Sequence, residues 1–495
     1  MSLNYPNLIW FKRDLRIHDQ PALSAALKTG PSLAFYIFEP ELWARHDATY
    51  HHYYFIAAAL KELHQNLHSR GIPFLILKGD CCEKLSEMLK KYQSQCLFSC
   101  QETGNYWTYQ RDLKVKDFCR KQGLVWYEYP QHGVIRCLKE RDGWAAKWAQ
   151  FMNQDQLMIK QQGSPISTDF KLPTAQDLGL DIEKDHDFQL GGESKGHALL
   201  HSFLQKRGLN YSKEMSSPVT AYESCSRLSA HLSYGTVSLR YCYQEAMARK
   251  NSFKGLSRQA RGSWPFSIHS FLGRLRWHCH FMQKLEDEPE MEFRALHSAY
   301  RHLDNKDYNI EFFEKWKTGQ SGFTLLDACM RALKKTGWLN FRMRAMVVSV
   351  ACQHLQLPWL KVAHYLAGQF TDYEAGIHYS QCQMQAGVTG MNAIRIYNPI
   401  KQAYDHDPKG VFLKKWLPEY AHLEGVQLIE PSCHDWRIEA PLVDEKIARQ
   451  QAAAILYGIR KNAVSEETKS LLKKHGSRRK IKPRQKKFNH SLRIA

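Results

Sequence analysis

The segment Ser226-Arg227-Leu228-Ser229 places two hydroxyls, a guanidinium and a run of backbone N–H groups at a helix start. That donor set suits phosphate oxygens. Isolated serines are also ordinary helix caps, so the segment alone leaves both readings open. Further on, Arg274, Trp277, His278 and Phe281 fall at the spacing of one helical face. A flat indole on such a face can stack on an extruded base. The triplet His278-Cys279-His280 invites a metal reading. Its two histidines lie roughly 200° apart on a helix, so they cannot face one ion. The thirteen cysteines include no C-x-x-C, which removes the zinc ribbon and the redox dithiol. Free thiols in a reducing cytoplasm are expected, and no metal site.

The chain has 495 residues and a formal charge of +20, from 69 basic and 49 acidic side chains. Such a balance suits a polyanionic partner. Half of the excess lies in Lys473–Ala495, which holds ten Lys/Arg and no acid. This proline-broken tail, taken with residues 463–495, reads as disordered. It can grip DNA phosphates by releasing counterions, or serve only as a solvated tail. No apolar run approaches the roughly 18 residues of a membrane span. Met1 to Gln20 contains no cleavable apolar stretch, so no secretion signal is expected.

These residues need a scaffold. From Leu8 to Tyr129 short apolar segments alternate with helical ones. The strand candidates are Leu8–Phe11, Leu33–Phe38, Phe74–Leu77, Cys96–Ser99 and Leu124–Tyr129; Tyr50–Ser69 and Tyr106–Lys121 have helical period. Alternation of this kind implies an α/β domain, residues 1–130, around a parallel five-stranded sheet. No G-x-G-x-x-G follows the first strand, which weakens a dinucleotide dehydrogenase reading. Periodicity fades over 131–190, a connector. From Gly191 to about residue 462 the period is helical throughout, giving a larger all-α domain.

The run from Ile9 to Leu23, IWFKRDLRIHDQPAL, resembles the opening strand and helix of photolyases and cryptochromes. Gly191-Gly192-Glu193, Ser226-Arg227-Leu228-Ser229, Thr336-Gly337-Trp338 and Arg395-Ile396-Tyr397-Asn398-Pro399 resemble the same family, in family order. The resemblance implies FAD bent deep in the helical domain, contacted by Tyr211, Ser226, Arg227, Leu228, Ser229, Asn340, Arg344, Asp372, Glu374 and His378. Arg344 and Asp372 match an ion pair beside the flavin, Glu374 replaces a shorter acid, and His378 falls at the position facing flavin N5, where it could exchange a proton near neutral pH. Cys225 stands where many relatives have a hydroxyl. An antenna chromophore of unassigned type could sit in the first domain, near Gln101-Glu102-Thr103-Gly104-Asn105.

The substrate pocket departs from the repair pattern. Trp277 is present, but Arg274 replaces a glutamate that bonds the damaged pyrimidine, and a guanidinium cannot donate a proton in its place. Phe341 replaces an asparagine or histidine, and Met384 replaces a second tryptophan. The electron chain is altered as well. Trp359 matches its middle member, whereas the proximal member aligns with Cys382; Tyr379 and Trp338 are candidate substitutes. Arg342 and Lys401 match DNA-facing positions. The resemblance therefore implies a blue-light-driven enzyme acting on UV-damaged DNA, or a cryptochrome-like photoreceptor without repair. A light-independent nucleic-acid-binding module is a third reading. A monomer is expected, with no assigned signalling partner.

Overall fold

The computed structural model describes residues 5–166, 170–435 and 437–476. Strands β1 (Asn7–Phe11), β2 (Ser32–Phe38), β3 (Phe74–Lys78), β4 (Cys96–Cys100) and β5 (Val125–Tyr129) form one parallel sheet in the order β3-β2-β1-β4-β5. Parallel neighbours need a crossover, and the helices between them supply it. Side chains alternate between faces along each strand. Ile9, Phe11, Ala34, Tyr36 and Phe38 pack with Phe55, Leu60, Leu63 and Leu67 of the helix Tyr50–His68. Leu8, Trp10, Leu33, Phe35 and Ile37 pack with Leu85 and Met88 of Cys81–Tyr92 and Val115 of Tyr106–Gln122. Both faces are covered, which is why these strands read as continuous apolar runs.

The rest of the described chain is helical. Its longest helix, Trp264–Asp287, lies against Ala375–Ala386. The two backbones meet at Gly376, where a Cβ would come within 2.8 Å of Met282 Cα. Helix Phe341–Ser349 passes into a π-helical turn, Val350–His354, ahead of Trp359–Gln369.

Two segments differ from the sequence reading. The connector contains a helix, Trp144–Met152, whose Trp144, Trp148 and Met152 enter the helical core. Their four-residue spacing was the available signal. The segment read as a tail from 463 begins with a helix, Ser465–His475, which buries His475 and pairs Lys474 with Glu288 at 2.5 Å. The remainder of that tail, 477–495, lies outside the described residues. All thirteen cysteines are free thiols. Among the described residues no helix is long and apolar enough to cross a membrane.

The Arg13–Asp19 segment after β1 clamps the two domains together. Arg13 donates to Ser233 O (3.0 Å), Ser233 Oγ (2.6 Å) and Tyr373 O (2.6 Å). Arg16 reaches Gly235 O at 2.9 Å, and Asp19 pairs with Arg240. The carboxylate of Glu193 accepts the N–H groups of Ile17 (3.0 Å) and His18 (2.9 Å). The clamp fixes Tyr373 between Asp372 and Glu374, and so aligns the candidate site.

Candidate flavin site and aromatic face

The loop 223–229 is shaped by an arginine that sequence reasoning missed. Arg207 donates to Glu223 O (2.7 Å), Cys225 O (2.7 Å) and Ser226 O (3.3 Å). Arg227 then adopts a left-handed backbone, φ 62°. Its guanidinium lies between Tyr222 (4.3 Å) and Trp338 (4.0 Å). It is buried, its Nη1 has no hydrogen-bond partner, and desolvation lowers its pKa to about 10. Arg344 makes a two-pronged bond to Asp372 (2.9 and 2.8 Å), donates to Leu339 O (2.7 Å) and stacks on Phe370 (4.0 Å). Burial opposes the charge on Asp372, but Arg344 and the Ser229 hydroxyl hold it below the ordinary carboxylate range.

Arg207, Arg227, Arg274 and Arg344 all lie within electrostatic reach of Cys225, whose thiol burial still pushes up to about 11. Tyr211 bonds Arg274, and burial raises its hydroxyl to about 12. The fold thus gathers Tyr211, Ser226, Arg227, Ser229, Trp338, Arg344 and Asp372 into one basin with more cations than anions. Leu228 contributes only backbone, since its side chain is in the core.

Three expected contact residues also have partners within the protein. Asn340 spends its amide on Met215 O (3.1 Å) and Ser216 O (2.9 Å). Glu374 pairs with His278 at 2.8 Å through one carboxylate oxygen. His378 shares a 2.8 Å bond with Ala363 O, and burial pushes its pKa down to about 4. Burial thus holds the ring neutral near pH 7. Its neighbours Tyr373 (5.2 Å) and Tyr379 (5.3 Å) are aromatic.

The His278–Glu374 pair sets a pH dependence. Burial opposes the imidazolium, but Glu374 overrides it and raises His278 from 6.5 to about 10, while Glu374 is lowered in return. A raised histidine stabilises the fold fully below its unfolded pKa of 6.5, and loses that contribution as pH rises through about 10. The gap in melting temperature between wild type and His278→Gln is therefore expected to be largest near pH 6 and to close steadily up to pH 10. A constant gap across that range would dismiss the ion pair as its cause.

On the outer side, Trp277 and Phe341 are 37% and 47% exposed. Trp277 stacks on Phe281 (5.4 Å), and Arg274 lies 5.3 Å over the Phe341 ring. Two of the three altered positions, Arg274 and Phe341, therefore join Trp277 in one aromatic, cationic face; the third, Met384, is half-buried on Ala375–Ala386. Phe266, 73% exposed, was missed. It precedes Trp277 by eleven residues, three helical turns, and so extends the same side of the helix. Arg342 lies 5.9 Å from the Tyr397 ring, and Lys401 is exposed beside Asp405 (3.2 Å).

Trp359 is buried, with its indole N–H on Asp304 (2.6 Å). Tyr379 is fully buried. Cys382 lies 3.7 Å from His378. Trp338 lies against Arg227 in the arginine basin. In the first domain, Glu102 pairs with Arg111 (2.6 Å), and Asn105 caps Tyr106–Gln122 while bonding Asp47 (2.8 Å). Beyond the carboxyl ends of the strands is a pocket lined by Trp10, Arg13, Glu39, Asn105, Arg111 and Tyr373.

A family model for DNA photolyase matches residues 7–143, and one for the FAD binding domain of DNA photolyase matches residues 271–457. The chain belongs to the photolyase/cryptochrome family. It is 26% identical to the deoxyribodipyrimidine photo-lyase of Escherichia coli, over 92% of this chain and 99% of that one. Its fold is similar to that of a Synechocystis cryptochrome (TM-score 0.78, 21% identity, 92% and 100% coverage). A bacterial class III photolyase from Agrobacterium tumefaciens is comparable (TM-score 0.79, 22% identity, 93% and 98% coverage).

The cofactor of this photolyase-like chain is FAD. The arginine basin fits it: a buried guanidinium with an orphaned N–H is the donor a pyrophosphate satisfies.

Proposed function

We propose that this chain is an FAD-dependent, blue-light-driven photolyase-like protein that acts on UV-damaged DNA through a modified pocket. The carrying observation is the adjacency of two features through Arg274. On one side is the arginine basin, reached through Tyr211. On the other is the exposed aromatic face, reached through Phe341.

In this reading Arg227, Ser226 and Ser229 hold the pyrophosphate, and Arg344, oriented by Asp372, faces the ring system. When bound, FAD supplies the light-driven electron transfer. The rest falls to side chains of this chain. Trp277 and Phe341 stack on an extruded base. Arg274 offsets negative charge by position, without giving up a proton. His378, neutral and tied to Ala363 O, packs without titrating. Tyr379 and Trp359 are the oxidisable groups assigned to the electron route, since Cys382 lacks an extended ring. The pocket at the strand ends is assigned to an antenna chromophore. Arg342 and Lys401 contact the DNA backbone.

The test is illumination of the purified, reduced protein with oligonucleotides carrying defined lesions. Loss of a lesion under blue light, and not in the dark, supports the proposal. Binding without repair of any pyrimidine photoproduct would favour the cryptochrome-like alternative, which the Arg274–Phe341 contact supports by closing the place of the family acid.

The tail contributes separately. Truncation after Gly476 keeps the helix Ser465–His475 and removes eight Lys/Arg. If four of them touch phosphates, the slope of log affinity against log salt falls by about 3.6, at ~0.9 per contact. Equal slopes for the full and truncated chains would leave the tail a role in solubility alone.

A further inference from the structure

The domain clamp gathers a set of metal-ligating side chains that no sequence spacing announces. His18 follows β1, whereas Glu193 and His197 stand four residues apart on one face of the helix Glu193–Gln205. One ligand atom of each residue lies within 4.8 Å of the other two. The His18 ring meets His197 edge-on at 5.4 Å, and Tyr241 closes the group at 4.9 and 4.7 Å. His18 Nδ1 and His197 Nε2 are both shielded from solvent without a hydrogen-bond partner. Buried ring nitrogens ordinarily have one. The Glu193 carboxylate is held by the N–H groups of Ile17 and His18, the kind of outer bond that orients a metal ligand. Arg16, the adjacent cation, is spent on the carbonyls of His18, Asp19 and Gly235.

We propose that His18, Glu193 and His197 form a divalent transition-metal site, best suited to zinc, that staples the two domains. Two imidazoles and one carboxylate are a zinc donor set, with a fourth position left to water. Ligands of a tetrahedral site with bonds of ~2.1 Å are about 3.4 Å apart. Closing the group from its present spread takes roughly 1 Å of ring and carboxylate rotation, within the reach of these χ angles. The site shares no residue with the arginine basin, so its test is independent of the flavin reading.

Full-length, tag-free protein, stripped with a chelator and dialysed, is titrated with Zn²⁺ by calorimetry and with Co²⁺ by absorption. One equivalent of Zn²⁺ is expected, with a melting temperature that rises on addition and falls back with chelator. Co²⁺ should give the intense visible bands of a tetrahedral site. His18→Gln and His197→Gln should each weaken Zn²⁺ binding by at least ~100-fold. The proposal is overturned if the double variant keeps the same equivalent of zinc, or if wild-type protein shows only the weak spectrum of octahedral Co²⁺. The cobalt spectrum of the wild type decides the matter even where a variant folds poorly.

Discussion

Arg274→Glu combined with Phe341→Asn is expected to raise repair of cyclobutane pyrimidine dimers by about 10- to 100-fold, reaching at most the low end of the ~100- to 10,000-fold range for a placed general acid. Wild-type protein should repair that lesion weakly. Arg274 lies over the Phe341 ring at 5.3 Å, and Tyr211 bonds its guanidinium. Neither side chain at that face can donate a proton to a bound pyrimidine. The double change restores an acid and an amide beside Trp277, which remains to stack on the base. Stabilising charge that develops only after electron transfer is differential binding, and so it acts on rate. The measurement is lesion loss per absorbed photon on a dimer-bearing oligonucleotide. Strong wild-type repair that persists in Arg274→Ala would show the pocket to work without either group.

Arg227→Met is expected to split cofactor affinity from apoprotein stability. In the fold alone Arg227 is a buried cation with an unpartnered Nη1, offset by the Tyr222 and Trp338 rings and by the nearby Asp372 carboxylate. Removing such a charge costs little, because the desolvation penalty disappears with it. Two ring contacts at ~0.5–2 kcal/mol each are lost in exchange. Apoprotein stability should therefore change by no more than about 1–2 kcal/mol. The hydrogen bonds to a bound pyrophosphate are charge-assisted, worth ~1.5–3 kcal/mol, so FAD affinity should fall roughly 10- to 150-fold. Calorimetric melting of flavin-free protein and FAD titration by fluorescence quenching separate the two quantities. Unchanged FAD binding would move the pyrophosphate away from Arg227.

The sheet and the helical class were legible because each follows from local period. Adjacent residues in β1 and β2 separate into two cores while residues two apart share one, and the helices carry apolar faces at three- and four-residue spacing. Arg274 was marked by position because the motif around Trp277 is contiguous on one helix, whereas Phe341 and Met384 stand on two others. The helix Trp144–Met152 was hidden by its length, since nine residues hold barely two turns of periodic signal.

Partners far apart in sequence belong to tertiary structure alone. The family resemblance marked Glu374, but only the fold delivers His278 to one of its carboxylate oxygens. His378 carries the ordinary imidazole pKa in an unfolded chain, and only burial beside Ala363 O moves it to about 4. Arg207 has no motif, yet it organises the loop of Ser226–Ser229 through three carbonyls. Types and short spacings thus determined the sheet, the helical remainder and the family. Desolvation and long-range pairing, which depend on every neighbour at once, decided which partners and which charge states the marked residues have.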